Sequence, residues 1–151
     1  MTRLARVTGE SMSPTYRTSD LLFTRPARHP GAPAGRGDVV VLRHNGRRMV
    51  KRVIGVPGDL IELEAGQLVV NGDALRGALR VRGAFTQTWS VPVAHYFVAG
   101  DNPAASEDSR VWDQPFVAFG GIAAVVVRRL PGRRRRAVTP RRPTVAGAPA
   151  A

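Results

Sequence analysis

Hydrophobic residues along this chain come in short runs, many alternating with polar residues and broken by Gly, Pro and Asn-Gly pairs. Residues 4–9 alternate loosely and end at a turn, and 20–24 (DLLFT) are a brief apolar run. Residues 25–37 (RPARHPGAPAGRG) are rich in Pro and Gly and predict a loop. Residues 38–43 (DVVVLR) and 47–55 (RRMVKRVIG) flank His44-Asn45-Gly46, the turn chemistry of a tight hairpin. A second hairpin is predicted from 60–64 (LIELE) and 67–70 (QLVV) across Ala65-Gly66, with another Asn-Gly at 71–72. Residues 73–95 are weakly strand-like, 96–99 (YFVA) read as a strand, and 100–110 are polar. The longest apolar run, 116–127 (FVAFGGIAAVVV), is far shorter than the ~20 residues of a spanning helix and holds two adjacent glycines. It predicts a buried strand pair. No window sustains a 3.6-residue period over a helical length, so the predicted class is all-β, built from hairpins, without internal repeats.

Composition refines this picture. A length of 151 residues allows one domain with a real core. The absence of cysteine excludes disulfides, a Cys nucleophile and thiolate metal sites. Three scattered histidines do not compose a metal-binding pattern, and no cofactor is expected. The net charge of +12 first suggests nucleic acid or an anionic membrane as partner. Eight arginines and no acid fall within 128–142, leaving only +4 for residues 1–127. Residues 131–151 are therefore expected to form a basic disordered tail behind a domain spanning 1–130. Of the 23 basic residues, 22 are Arg and one is Lys51.

Three segments carry polar residues that strand packing does not ask for. In Gly9-Glu10-Ser11-Met12-Ser13-Pro14-Thr15, a Ser at a strand end sits on a sharply turning backbone. Such a turn presents a hydroxyl and aims an N–H at an oxyanion, although Ser/Pro/Thr clusters also make ordinary turns. In 49–59 (MVKRVIGVPGD), Lys51 shares one strand face with Met49 and Val53. At an ordinary pKa only about 0.04% of a lysine is neutral at pH 7. Desolvation by apolar neighbours raises that fraction and makes a general base, which Arg cannot become. The alternative is a lysine snorkelling to the surface. The third segment, 100–110 (GDNPAASEDSR), is a polar loop in which Asp108 and Arg110 can pair.

Taken together, these segments resemble the signal peptidase I family of Ser/Lys endopeptidases over about residues 5–127. Ser11-Met12-x-Pro14-Thr15 is similar to its nucleophile box. Lys51-Arg52 with Gly55-x-Pro57-Gly58-Asp59 is similar to its general-base box, and Gly100-Asp101-Asn102 with Ser106-x-Asp108-Ser109-Arg110 to its closing box. Arg36-Gly37-Asp38-Val39-Val40 resembles the strand start between them. The resemblance implies coiled antiparallel sheets with a small inserted β-region at about 60–95. It implies Ser11 as nucleophile, neutral Lys51 as general base, and Ser106, Asp108 and Arg110 as catalytic support. The Ser11 N–H is one implied oxyanion donor. Some members place a hydroxyl two residues before the nucleophile as the second donor; here that place is Gly9. Val7, Met12, Tyr16, Met49 and Val50 match positions lining shallow pockets, which implies cleavage after an A-x-A-like site.

Family members usually carry a membrane anchor before the nucleophile box, whereas ten residues precede Ser11 here. The expectation is membrane association with an extracytoplasmic active site, or a cytoplasmic location if the anchorless chain is complete. The basic tail can supply weak attachment to an anionic membrane surface. The expected function is removal of signal or leader peptides from a preprotein substrate. One alternative is maturation of a dedicated partner, as the nickel-superoxide-dismutase maturation peptidases do. Another is a non-enzymatic β-domain binding nucleic acid through its Arg tail, which leaves all three segments unexplained; no specific nucleic acid is expected as partner.

Overall fold

The computed structural model describes residues 3–28, 30–75 and 85–130. The segment expected to form a basic tail, 131–151, lies outside the described residues, as does 76–84 within the expected insert. Eleven strands make up the described fold: β1 (Arg3–Arg6), β2 (Leu21–Pro26), β3 (Val39–His44), β4 (Arg47–Gly55), β5 (Leu60–Glu64), β6 (Gln67–Val70), β7 (Asp73–Ala74), β8 (Phe85–Ser90), β9 (His95–Ala99), β10 (Phe116–Ala118) and β11 (Ile122–Leu130). Single 3-10 turns occupy Pro103–Ala105 and Phe119–Gly121, and among the described residues there is no α-helix. The all-β expectation holds.

The strands pair antiparallel in two sheets, one of seven in the order β1-β2-β11-β3-β4-β9-β10 and one of four in the order β7-β6-β5-β8. Asn45-Gly46, Ala65-Gly66 and Asn71-Gly72 each place two successive residues at positive φ. That is the twist a two-residue hairpin turn requires, and it fixes β3–β4, β5–β6 and β6–β7 as hairpins. The four-stranded sheet is the inserted β-region, running between β4 and β9.

The structure alters two readings. The first strand stops at Arg6 rather than at Gly9, because the backbone of Val7 leaves β2's register and instead exchanges hydrogen bonds with Ser19 and Asp20. The apolar run 116–127 does form strands, but they do not pair with each other. The glycines fall in the 3-10 turn, β10 joins β9 at the sheet edge, and β11 threads between β2 and β3 at the centre.

Two apolar clusters support the sheets. One gathers Val40, Leu42, Val53, Tyr96, Val98 and Val125 under the large sheet. The other joins Ile54, Phe97 and Ala99 to Ile61, Val70 and Val91 and so ties the small sheet to the large one. The Pro/Gly-rich loop before β3 is pinned by Tyr96, whose hydroxyl donates to the Ala34 carbonyl (2.6 Å) and accepts from the Ala34 N–H (3.0 Å).

Candidate active site

β4 carries Lys51 on the face that also holds Met49 and Val53, opposite Val40 of β3. Lys51 is 4% exposed, so its amine is largely removed from water. Burial pushes the amine below the ordinary lysine value; Asp108 and Glu107 pull it partly back up and Arg110 pushes it down further. Its Nζ donates to the Ser106 Oγ at 2.9 Å. Ser106 in turn donates to Asp108 Oδ2 at 2.5 Å. Asp108 is fully buried, and it also accepts from the Gly100 N–H (2.8 Å) and from Arg110 Nε (2.8 Å) and Nη2 (2.5 Å). Burial alone would raise this carboxyl; the hydrogen bonds from Arg110, Ser106 and Gly100 win and hold it below the usual carboxylate range.

Ser11 lies in the turn after β1. It lines, with Lys51 and Ser106, a cleft of about 880 Å³ between β1 and the first half of β4. The turn is held by the closing segment: the Asn102 N–H donates to the Ser11 carbonyl (2.9 Å) and the Asn102 side chain to the Glu10 carbonyl (3.1 Å). Gly100 makes this closeness possible. A Cβ on it would stand 2.5 Å from the Ser11 carbonyl and would overlap the Ser106 hydroxyl.

Four of the five residues expected to line substrate pockets, Val7, Met12, Met49 and Val50, do line the cleft. Tyr16 does not. Its N–H closes a turn onto the Met12 carbonyl, and its half-buried ring sits beside Arg52, Asp101 and Arg129, where burial pushes the hydroxyl's pKa up. Gly9 is exposed at positive φ, its carbonyl accepting from Thr18 (3.1 Å); the neighbouring Thr8 is the residue that lines the cleft.

Arg52, Asp101 and Thr15 had no assigned role from sequence, yet they lock the three segments together. Arg52 donates to both Asp101 oxygens (2.8 and 2.6 Å), and Thr15 donates to the same carboxylate (2.6 Å). The signal was present: a charged residue following Lys51 and an acid in a polar loop can be complementary. Only the fold shows that they meet. Trp112, two residues past the closing segment, stacks on His44 at 3.9 Å at the tip of β3, a contact that local pattern does not carry.

The cleft has open strand flanks. β1 pairs with β2 alone, and β9 pairs with β4 only over Arg52–Gly55, so residues 47–51 have a strand partner on one side only among the described residues. An extended peptide laid between them meets unpaired backbone on both sides. Among the described residues no group of three or more His, Asp or Glu is placed to hold a metal ion, and no helix is long and apolar enough to cross a membrane.

A family model described as signal peptidase, peptidase S26, matches residues 1–130. Signal peptidase I P of Bacillus subtilis subsp. natto is 40% identical over 119 residues, covering 69% of this chain and 64% of the relative. The chain thus spans less than two thirds of that relative's length. Signal peptidase I V of Bacillus subtilis (strain 168) is 34% identical over 122 residues, covering 70% of this chain and 73% of the relative. A crystal structure of a signal peptidase I from Enterococcus faecalis superposes with a TM-score of 0.49 at 29% identity, covering 62% of this chain and 97% of that one. On the match over residues 1–130 and these relatives, the chain belongs to the signal peptidase family, peptidase S26.

Proposed function

We propose that the chain is a serine endopeptidase that uses Ser11 and Lys51 to remove signal or leader peptides after small residues. The observation that carries this reading is the chain's single lysine, buried on an apolar strand face and hydrogen-bonded to Ser106 on the wall that Ser11 shares. The neutral Lys51 amine takes the Ser11 proton as Oγ attacks the scissile carbonyl carbon. The developing oxyanion is met by the Ser11 N–H and by a second donor from the Gly9 region. Collapse breaks the C–N bond, and Lys51 returns the proton to the leaving amine. A water then hydrolyses the acyl-enzyme, again with Lys51 as base. Ser106 spends its own hydrogen on Asp108 and is therefore oriented to accept from Lys51, which fixes the direction of the amine.

Val7, Met12, Met49 and Val50 form the shallow apolar floor for small side chains at the first and third residues before the cut. Membrane-associated work on an extracytoplasmic preprotein follows from the family. The basic stretch from Arg128 onward fits contact with anionic lipid through its charge alone.

The test uses a leader peptide ending in Ala-x-Ala followed by a short mature segment, with products read by mass spectrometry. Wild type is expected to cut after the second Ala. Ser11→Ala and Lys51→Arg should each lower kcat/KM by at least about 10³ while far-UV circular dichroism stays unchanged. Full activity in Lys51→Arg would overturn the dyad, because a guanidinium stays charged.

A further inference from the structure

The cleft also carries a basic rim. Arg6 of β1 and Arg47 and Arg48 of β4 line it, against one acid, Glu107. Glu107 faces Arg47 at 3.7 Å, and both are at least 74% exposed. Arg6 and Arg48 are exposed and have no carboxylate partner among the described residues. A net positive rim on a concave wall focuses its field into the groove.

The rim has a definite place relative to the chemistry. Arg48 precedes Lys51 by three residues on the same strand, which at about 3.3 Å per residue is about 10 Å, and strand alternation puts it with Val50 on the face opposite Met49 and Lys51, the face to which every second residue of an extended peptide also turns. Between them lie Met49 and Val50, the floor assigned above to the residues just before the cut. A peptide lying extended over that floor, with its scissile bond at Ser11, brings the next residues upstream to the arginines.

We propose that Arg6 and Arg48 form a subsite for acidic side chains about four or five residues upstream of the scissile bond, the first positions beyond the apolar floor. The proposal rests on the Ser11/Lys51 reading of the cleft and adds a substrate class to it: leaders with Asp or Glu just upstream of the small-residue site. Exposed ion pairs of this kind are weak, and two contacts in the middle of their range give a preference of about three- to tenfold. Salt weakens it.

The experiment compares two Ala-x-Ala leader peptides that differ only in carrying Glu or Lys at those upstream positions. With the full chain, kcat/KM should favour the Glu peptide about three- to tenfold at low ionic strength, and the ratio should fall toward one in about 0.5 M salt. The double change Arg6→Glu with Arg48→Glu should invert the ratio, and Arg6→Gln with Arg48→Gln should flatten it; a loss of folding alone lowers both peptides together. Binding of the same fluorescent pair to the Ser11→Ala protein separates the two levels. Preference in binding without cleavage by wild type keeps the subsite and overturns the dyad. Cleavage with equal rates, or a ratio that the arginine changes leave untouched, overturns the subsite. So does a result in which those changes abolish only co-sedimentation with phosphatidylglycerol vesicles, since the rim then reads lipid.

Discussion

Lys51 titrates below the ordinary lysine value of 10.5, because burial penalises its ammonium. Only the neutral amine accepts the Ser11 proton, so cleavage should rise with pH through that lowered value; a kcat/KM profile with its rising limb at or above 10.5 would contradict this. The same burial sets a stability term of definite sign. Below the folded-state value the fold holds a buried ammonium that unfolding would hydrate, and this cost disappears as pH climbs to 10.5. Lys51→Met is therefore expected to raise Tm near pH 6 and to lose most of that gain by about pH 10. Asp108 behaves oppositely: its lowered carboxyl contributes stability present above 3.8 and lost as pH falls through the folded value. Gly100 is the third residue to probe. Because a Cβ there meets the Ser11 backbone and the Ser106 hydroxyl, Gly100→Ala should cost about 1–3 kcal/mol in denaturant melts and lower kcat more than KM rises. An unchanged Gly100→Ala enzyme would mean that the nucleophile turn is held more loosely than the structure indicates. The composition itself singled out Lys51, since a chain that otherwise uses Arg keeps one position where Arg fails chemically. Gly100 read only as part of a turn, because its neighbour across the gap is far away in sequence.

The hairpins and the closing segment were legible to different degrees. β4, β5 and β6 have the predicted bounds, since Asn-Gly and Ala-Gly turns fix both register and ends. The closing segment read as a polar loop with one internal ion pair, and Asp108–Arg110 is that pair. Its other half was not legible, because Asp101 answers to Arg52 on β4 and to Thr15 in the nucleophile turn. Asp101→Asn should therefore act on both strand and turn. It leaves the partly buried Arg52 guanidinium without its bidentate partner, at a cost of about 1–3 kcal/mol. Cleavage should fall at least tenfold with Ser11 and Lys51 intact. Thr15→Val should produce the smaller of the two effects, and the double variant should be less than additive because the two share a carboxylate. Additive losses would show that the strand and the turn are held separately.

At the scale of the molecule, the small sheet hangs on the large one through Gly55. A Cβ at Gly55 would come 2.7 Å from Ile61 Cδ1 and 2.9 Å from Val91 Cγ2, both in the second apolar cluster. Gly55→Ala should lower stability by about 1–2 kcal/mol and red-shift the fluorescence of Trp89, which packs on Phe97 there. An unaltered spectrum and melt would mean that the junction has room to spare. Next to this junction β9 pairs with β4 over Arg52–Gly55, and residues 47–51 keep β3 as their one strand partner among the described residues. By itself the sequence determined the all-β class, the hairpins and the residue types of the chemistry, because alternation, turn residues and a lone lysine act over a few positions. Tertiary structure alone decided that β11 lies between β2 and β3, that Tyr16 sits beside Arg52 and Asp101 rather than in the cleft lining, and that Asp101 clamps two distant segments. Those outcomes depend on which strand edges and which charges meet across ~100 residues of chain, and local pattern carries no record of that.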